Sequence, residues 1–226
     1  MPDTILFAGP SAWGVSDALI EGAGILRLPP VQRGDVERAV ALADGPGVLI
    51  VCDGIFQVAP AVSHAELCEA IDAGWQVWGV SSLGAIRAWE LRHEGMRGFG
   101  EVYAMFERFD DFTDDEMCLL HFPAPPWFPV SEALVNLRHA FDVRGRELGI
   151  GEDAANAVIA ALRPMWFGER TPERIRGLMV DAAGIAEHGA DQLLAWLTTH
   201  RVKTTDLERL LAMRPWQDLA APARTP

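Results

Sequence analysis

The chain has 226 residues, half of them apolar, and a formal net charge of −13. That length carries one generous domain or a domain with a helical extension, and that apolar content excludes a disordered chain. An acidic surface with Lys203 as the only lysine and no basic run excludes nucleic acid and anionic membranes as partners, but leaves a protein with a basic face or a small anion held by arginine.

Cys52, Cys68 and Cys118 are odd in number, widely spaced and free of any C-x-x-C pattern, as expected of buried thiols in a reducing compartment. Met1-Pro2-Asp3 opens without the basic and apolar regions of a signal peptide, and no apolar run approaches membrane-spanning length. The expectation is a soluble cytoplasmic protein of open oligomeric state.

Thr4 to Ala8 reads as a first buried strand, followed by a turn of small residues, Gly9-Pro10-Ser11. A short helix capped by Ser16 comes next, then a strand over Ile25 to Leu28 that Pro29-Pro30 stops. Asp35 is placed to N-cap a helix through Leu42. Val48 to Cys52 is a continuous aliphatic run of the kind buried on both faces, and it ends in Asp53-Gly54. Ser63 and Glu66 have capping-box spacing for a helix to Ala73, and a strand over Gln76–Val80 leads into a helix after Ser82. Strands alternating with helices at these intervals predict an α/β fold with a parallel, Rossmann-like sheet and right-handed crossovers.

Beyond Leu91 the texture changes. His93 to Gly100 is punctuated by glycine, Val102 to Phe106 is apolar and partly helical, and Thr113 with Glu116 has the spacing of another capping box. Pro123 to Pro129 reads as an extended, aromatic-rich linker. From Ser131 only helices are expected: 131–148, 152–165, 172–188, 190–200 and 205–213, with Pro172 suited to a first turn after Thr171. The expected division is an α/β core over 1–122 and an all-helical extension over 130–219 packed on the core or on a partner, with a frayed tail from Ala220.

Ligands of open parallel sheets bind beyond the carboxyl ends of the strands. Three polar or glycine-bearing segments are predicted at that rim: Gly9-Pro10-Ser11, Asp53-Gly54-Ile55-Phe56 and Ser81-Ser82-Leu83-Gly84. The last resembles a nucleophile elbow, in which a serine sits on a sharp strand-to-helix turn; Ser82-Leu83-Gly84 supplies the second half of G-x-S-x-G, with Gly79 one residue too early. The competing reading is that Ser81 or Ser82 only N-caps the helix.

Gly9-Pro10-Ser11, Pro29-Pro30, Gly34-Asp35, Asp53-Gly54-x-Phe56, Pro60, Val62-Ser63-His64-x-Glu66, Gly79-x-Ser81-Ser82-Leu83-Gly84-Ala85-Ile86-Arg87-Ala88-x-Glu90-Leu91, Gly95-Met96, Asp114-Asp115-Glu116 with His121, and Ser131-Glu132-x-x-Val135-Asn136-x-Arg138 form an ordered set from about Thr4 to His139. That set resembles the TfuA-like family. The resemblance implies a partner of a YcaO-type enzyme in peptide backbone thioamidation, in modified ribosomal peptides or in a thioglycine of methyl-coenzyme M reductase. It implies a hydrolase that releases sulfide from the terminal thiocarboxylate of a ThiS-like sulfur-carrier protein; the alternative is a non-catalytic adaptor that shifts the YcaO enzyme's conformation. No cofactor is expected: the YcaO enzyme consumes the ATP, and neither G-x-G-x-x-G nor G-x-x-x-x-G-K-[ST] is present. Leu83 and Ile86 stand where the family pattern has Met and Leu, and Cys52 where it has an aliphatic residue.

Thiocarboxylate cleavage is acyl transfer with sulfide leaving, which needs a nucleophile or activated water, oxyanion donors and an anchor for the terminal anion. The expected catalytic residues are Ser82, His64 and Asp53. Binding is expected from Ser11, Gly54, Leu83, Arg87 and Glu90, with the Leu83 N–H and one from the 9–11 turn as oxyanion donors. Each has a plainer rival: His64 as a packing or capping residue, Glu66 as the capping-box glutamate, Asp53 in an Asx turn with Gly54, Arg87 and Glu90 as a helix ion pair. No metal site is expected. His64-Ala65-Glu66 matches the start of a zinc-deaminase signature, but no P-C-x-x-C follows, and the other histidines lack ligand spacing.

Overall fold

The computed structural model describes residues 3–21, 24–55, 59–110 and 112–218; Phe56 and the tail from Ala220 lie outside the described residues. Five strands form one parallel sheet: β1 (Thr4–Phe7), β2 (Ile25–Leu28), β3 (Val48–Val51), β4 (Gln76–Val80) and β5 (Arg97–Phe99), in the order β2-β1-β3-β4-β5. Every residue of β3 is buried, as an aliphatic strand covered on both faces must be. β5 lies in the glycine-punctuated stretch that the residue pattern did not mark as a strand, because one exposed arginine, a glycine and a single half-buried phenylalanine carry no apolar run.

Helices α1 (Asp17–Glu21), α2 (Asp35–Leu42), α3 (His64–Asp72), α4 (Leu83–Glu90) and α5 (Glu101–Arg108) follow the strands in turn. The capping box at α3 forms as expected: Ser63 accepts from the Glu66 N–H at 3.2 Å and Glu66 reaches back to the Ser63 N–H. Glu66 also accepts from the Gly34 N–H at 2.6 Å, tying the starts of α2 and α3 together. Asp35 does not N-cap α2. Gly34 holds that position with φ +84°, and Asp35 is the first helical residue, accepting from the Gln32 N–H at 2.7 Å.

The chain divides into two compact units, Met1–Asp110 with Thr204–Pro226, and Asp111–Lys203. In the first, α10 (Val202–Met213) sends Leu207, Leu210 and Leu211 into a core with Leu6, Ile50 and Val80. Asp206 of α10 accepts from the N–H groups of Glu101 and Val102 at 3.0 and 2.9 Å, capping α5 where Gly100 has no side chain to do so.

The second unit holds α6 (Leu134–Arg144), α7 (Glu152–Leu162), α8 (Pro172–Gly177) and α9 (Glu187–Leu197) around their own apolar core. Thr171 caps α8 ahead of Pro172, and a π-helical turn, Leu178–Ala182, ends the helix expected to run to 188. Thr113 and Glu116 form no capping box. Thr113 precedes a 3-10 turn without a side-chain cap, and Glu116 takes a two-pronged hydrogen bond from Arg138 at 2.6 and 2.8 Å. The predicted linker is instead an antiparallel arm: His121 and Pro129 form a bridge, and Phe122 N–H donates to Phe128 O at 3.0 Å.

Candidate active site

The sheet order sets the site. β1, β3 and β4 are neighbours, and their registers bring Phe7, Val51 and Gly79 side by side. The segments that follow, Gly9–Ser11, Asp53–Gly54 and Ser81–Gly84, therefore leave one rim. Strand order reverses between β1 and β3, the switch point at which open α/β sheets bind ligands.

The turn from β4 into α4 is tight because its glycines allow it. A Cβ on Gly84 would lie 1.7 Å from the Val51 carbonyl oxygen, and one on Gly79 would lie 2.0 Å from the Gly84 carbonyl oxygen. The elbow strain falls on Ser81, a buried non-glycine residue with φ +65°. Gly79-x-Ser81 has the elbow's first-half spacing, so the sequence carried a signal for Ser81 that the Ser82-x-Gly84 match masked. Ser82 follows at the N-cap position of α4, 5% exposed, and its hydroxyl makes no capping hydrogen bond. In the first turn Gly84 N–H donates to Cys52 O and Ala85 N–H to Ser82 O. The Leu83 N–H is left without an acceptor among the described residues, beside the Ser82 hydroxyl and at the positive end of the helix.

Asp53 is 2% exposed and spends its carboxylate on the neighbouring loop. One oxygen accepts from the N–H groups of Gly9 and Ser11 at 2.8 and 3.0 Å, and the other accepts the Ser11 hydroxyl at 2.7 Å. The 9–11 turn thus has its donors committed to Asp53 and offers none of the oxyanion donors expected of it. Gly54 lets Leu83 approach: a Cβ there would meet Leu83 Cδ2 at 2.0 Å.

His64, Arg87 and Glu90 form a second group. His64 Nε2 and Glu90 Oε2 are 2.8 Å apart, and Arg87 bridges Glu90 at 2.5 Å while donating through Nε to Val62 O at 3.1 Å. Burial pushes the Glu90 carboxyl up, but hydrogen bonds from His64 and Arg87, with the charges behind them, outweigh it and hold Glu90 below the usual range. The imidazole is half exposed, so this group faces arriving molecules. It is not hydrogen-bonded to Ser82: eight residues of α4, about 12 Å of helical rise, separate Ser82 from Glu90. The expected site residues therefore assemble as two clusters, Asp53 with Ser11 beneath the Ser82–Leu83 turn, and His64 with Arg87 and Glu90 further along α4. The pairing of His64 with Glu90 was not foreseen; it joins two helices 26 residues apart, and no local pattern marks it.

Cys52 is fully buried, burial pushes Cys118 up to about 12, and burial with Glu94, Asp72 and Glu69 raises Cys68. Among the described residues no three His, Cys, Asp or Glu side chains converge as metal ligands, and no helix is long and apolar enough to cross a membrane.

The remaining family-type residues build the second unit. Beside the Glu116–Arg138 pair, Glu132 accepts from Asn136 at 2.6 Å and Arg201 at 2.8 Å, and Ser131 Oγ accepts the Leu120 N–H at 2.7 Å. Arg170 is fully buried, donating to the carbonyls of Leu162 and Met165 and pairing with Asp115.

No curated protein matches the chain. A family model described as TfuA-like protein matches residues 53–171, more than half of it, and takes in Asp53, His64, Ser82, Arg87, Glu90 and the Glu116–Arg138 and Asp115–Arg170 pairs. By that match and by the α/β architecture around the Ser81–Leu91 turn, the chain belongs to the TfuA-like family.

Proposed function

We propose that this protein releases sulfide from the thiocarboxylated terminus of a ThiS-like sulfur carrier and delivers it to a YcaO-type enzyme for peptide backbone thioamidation. The observation that carries the reading is Ser82. It stands at the N-cap position of α4 inside the family-matched segment, yet its hydroxyl does not cap, and the Leu83 N–H beside it has no acceptor among the described residues. A structural serine would use its oxygen on that helix end.

In the proposed reaction Ser82 Oγ attacks the thiocarboxylate carbon. The new oxygen–carbon bond forms, the carbon–sulfur bond breaks with sulfide leaving, and the hydroxyl proton passes to a base. Water then hydrolyses the ester, restoring Ser82 and leaving the carrier with a carboxylate. The Leu83 N–H, at the positive end of α4, receives the oxyanion. Solvent at the rim takes the hydroxyl proton, because His64, held by Glu90 further along α4, is out of hydrogen-bond reach of Ser82; Arg87 supplies countercharge for the carrier's terminal anion. Asp53 is a positioning residue that fixes Ser11 and the 9–11 turn as one wall of the rim. Sulfide leaves far more readily than an amine, so no general acid is required at the leaving sulfur.

The test uses the thiocarboxylated carrier with no YcaO enzyme present. Wild type is expected to release sulfide, and Ser82→Ala to lose at least about 100-fold in rate while keeping its melting temperature. Full activity in a folded Ser82→Ala variant overturns the covalent serine route. Silence from wild type, with thioamidation restored once the YcaO enzyme and peptide are added, means the protein is an adaptor instead.

A further inference from the structure

The arm over residues 120–130 has an unusual face. His121 pairs with Pro129 across the arm, and Leu120 and Phe122 lie on either side of His121 as Val130 and Phe128 do of Pro129. Side chains alternate along extended strands, so Leu120, Val130, Phe122 and Phe128 share one face, and buried Pro129 lies on the other. The shared face points outward: Leu120 is 37% exposed, Phe122 57%, Phe128 45% and Val130 40%. The Phe122 and Phe128 rings are 6.2 Å apart and tilted, forming one apolar tip. The backbone that carries them is fixed independently of these side chains, by Val130 N–H to Leu120 O at 2.7 Å, Phe122 N–H to Phe128 O at 3.0 Å and Trp127 N–H to Ala124 O at 2.9 Å. A solvated arm would alternate apolar and polar residues; this one leaves its outer face wholly apolar.

We propose that this face is the docking element for a protein partner that offers an apolar cleft within a basic surface, and, resting on the function proposed above, that the partner is the YcaO-type enzyme. Charge and area select that occupant. The chain carries a net charge of −13, so a basic surface attracts it and a second copy repels it. The strip offers roughly 300 Å2 of apolar area, so two strips packed on each other would bury about 600 Å2, well below the roughly 1,200 Å2 of a stable pair. As a pair of adjacent aromatic anchors in the middle of a larger heterologous contact, the same area is of hot-spot size.

The experiment measures binding of the purified YcaO-type enzyme from the same genome to wild type, to the Phe122→Ser/Phe128→Ser double variant, and to Trp166→Ser as an exposed-aromatic control outside the arm. A Phe122→Arg single variant guards against local loss of the arm. Sulfide release from the thiocarboxylated carrier alone is read in parallel. Both arm variants are expected to bind at least about tenfold more weakly, with the control and the sulfide release unchanged. Raising the salt concentration is expected to weaken wild-type binding. Equal binding by wild type and arm variants overturns the docking proposal and leaves the proposed function standing. No binding by wild type overturns both the docking proposal and the YcaO partnership. Arm-dependent dimerisation in sedimentation, or arm-dependent binding to phosphatidylcholine vesicles, assigns the face to another occupant and also overturns it.

Discussion

Replacing Asp53 tests whether the rim is held by one carboxylate. Its two oxygens satisfy three donors, the Gly9 N–H, the Ser11 N–H and the Ser11 hydroxyl, in a place 2% exposed. Asp53→Ala strands all three, and each buried unsatisfied donor costs about 1–3 kcal/mol, with the hydroxyl best able to turn elsewhere. The expected loss is about 4 kcal/mol, or a fall of about 10 °C in melting temperature for a chain of this size. Asp53→Asn is milder. Its carbonyl oxygen can keep the two N–H donors while its amide donates to Ser11 Oγ, so about 1–2 kcal/mol is lost with the charge. Thermal unfolding reads the sum, and hydrogen exchange at the Gly9 and Ser11 amides reads the site. The two amides should lose protection in Asp53→Ala and largely keep it in Asp53→Asn. Unchanged protection in Asp53→Ala would refute the claim that Asp53 holds the loop.

Other expectations follow from the same contacts. Among the described residues Arg138→Leu leaves Glu116, 1% exposed, with only the weaker Arg163 contact at 3.9 Å, and should destabilise by about 3–5 kcal/mol in denaturant titration; a Glu116→Leu/Arg138→Leu double variant should recover much of that. Gly84→Ala places a methyl on the Val51 carbonyl and should lower soluble yield and melting temperature sharply, whereas the same change at exposed Gly151, with nothing near its missing Cβ, should not. Burial pushes the Asp206 carboxyl up to about 6, against the lowering effect of its hydrogen bonds from Val102 and Glu101 and the charge of Arg209. A raised folded-state value means its contribution is complete below about pH 4 and lost as pH rises through about 6, a change on the order of 2–3 kcal/mol. Unfolding curves of wild type minus Asp206→Asn should show that fall across this window; a flat difference contradicts it.

The sheet was legible because β1, β3 and β4 are aliphatic runs bounded by glycine and polar residues, and their order in the chain places three polar turns on one rim. The Ser63–Glu66 cap was legible for the same reason: every atom it needs lies within four residues. Thr113 and Glu116 show the limit of that logic. Their spacing satisfied the same pattern, but a partly buried Arg138 22 residues away offered the buried Glu116 a charge-assisted, two-pronged bond that a helix N-terminus cannot match. Asp35 lost its cap role to Gly34, which takes the left-handed backbone that the turn requires. The arm at 120–130 read as a linker because prolines dominate its composition, and its pairing depends on registry across the turn. At the site, the family-type residues were identifiable one by one, but their grouping was not. His64 meets Glu90 through the packing of two helices, and Asp53 meets Ser11 across two strands.

The central claim is that this protein, by itself, converts a thiocarboxylate into a carboxylate. Intact-mass analysis of the ThiS-like carrier after incubation with catalytic amounts of pure protein tests it most directly. The carrier's mass should fall by the difference between sulfur and oxygen, with matching free sulfide, and Ser82→Ala should leave the carrier unchanged. A carrier that keeps its sulfur in the presence of folded wild-type protein would contradict it.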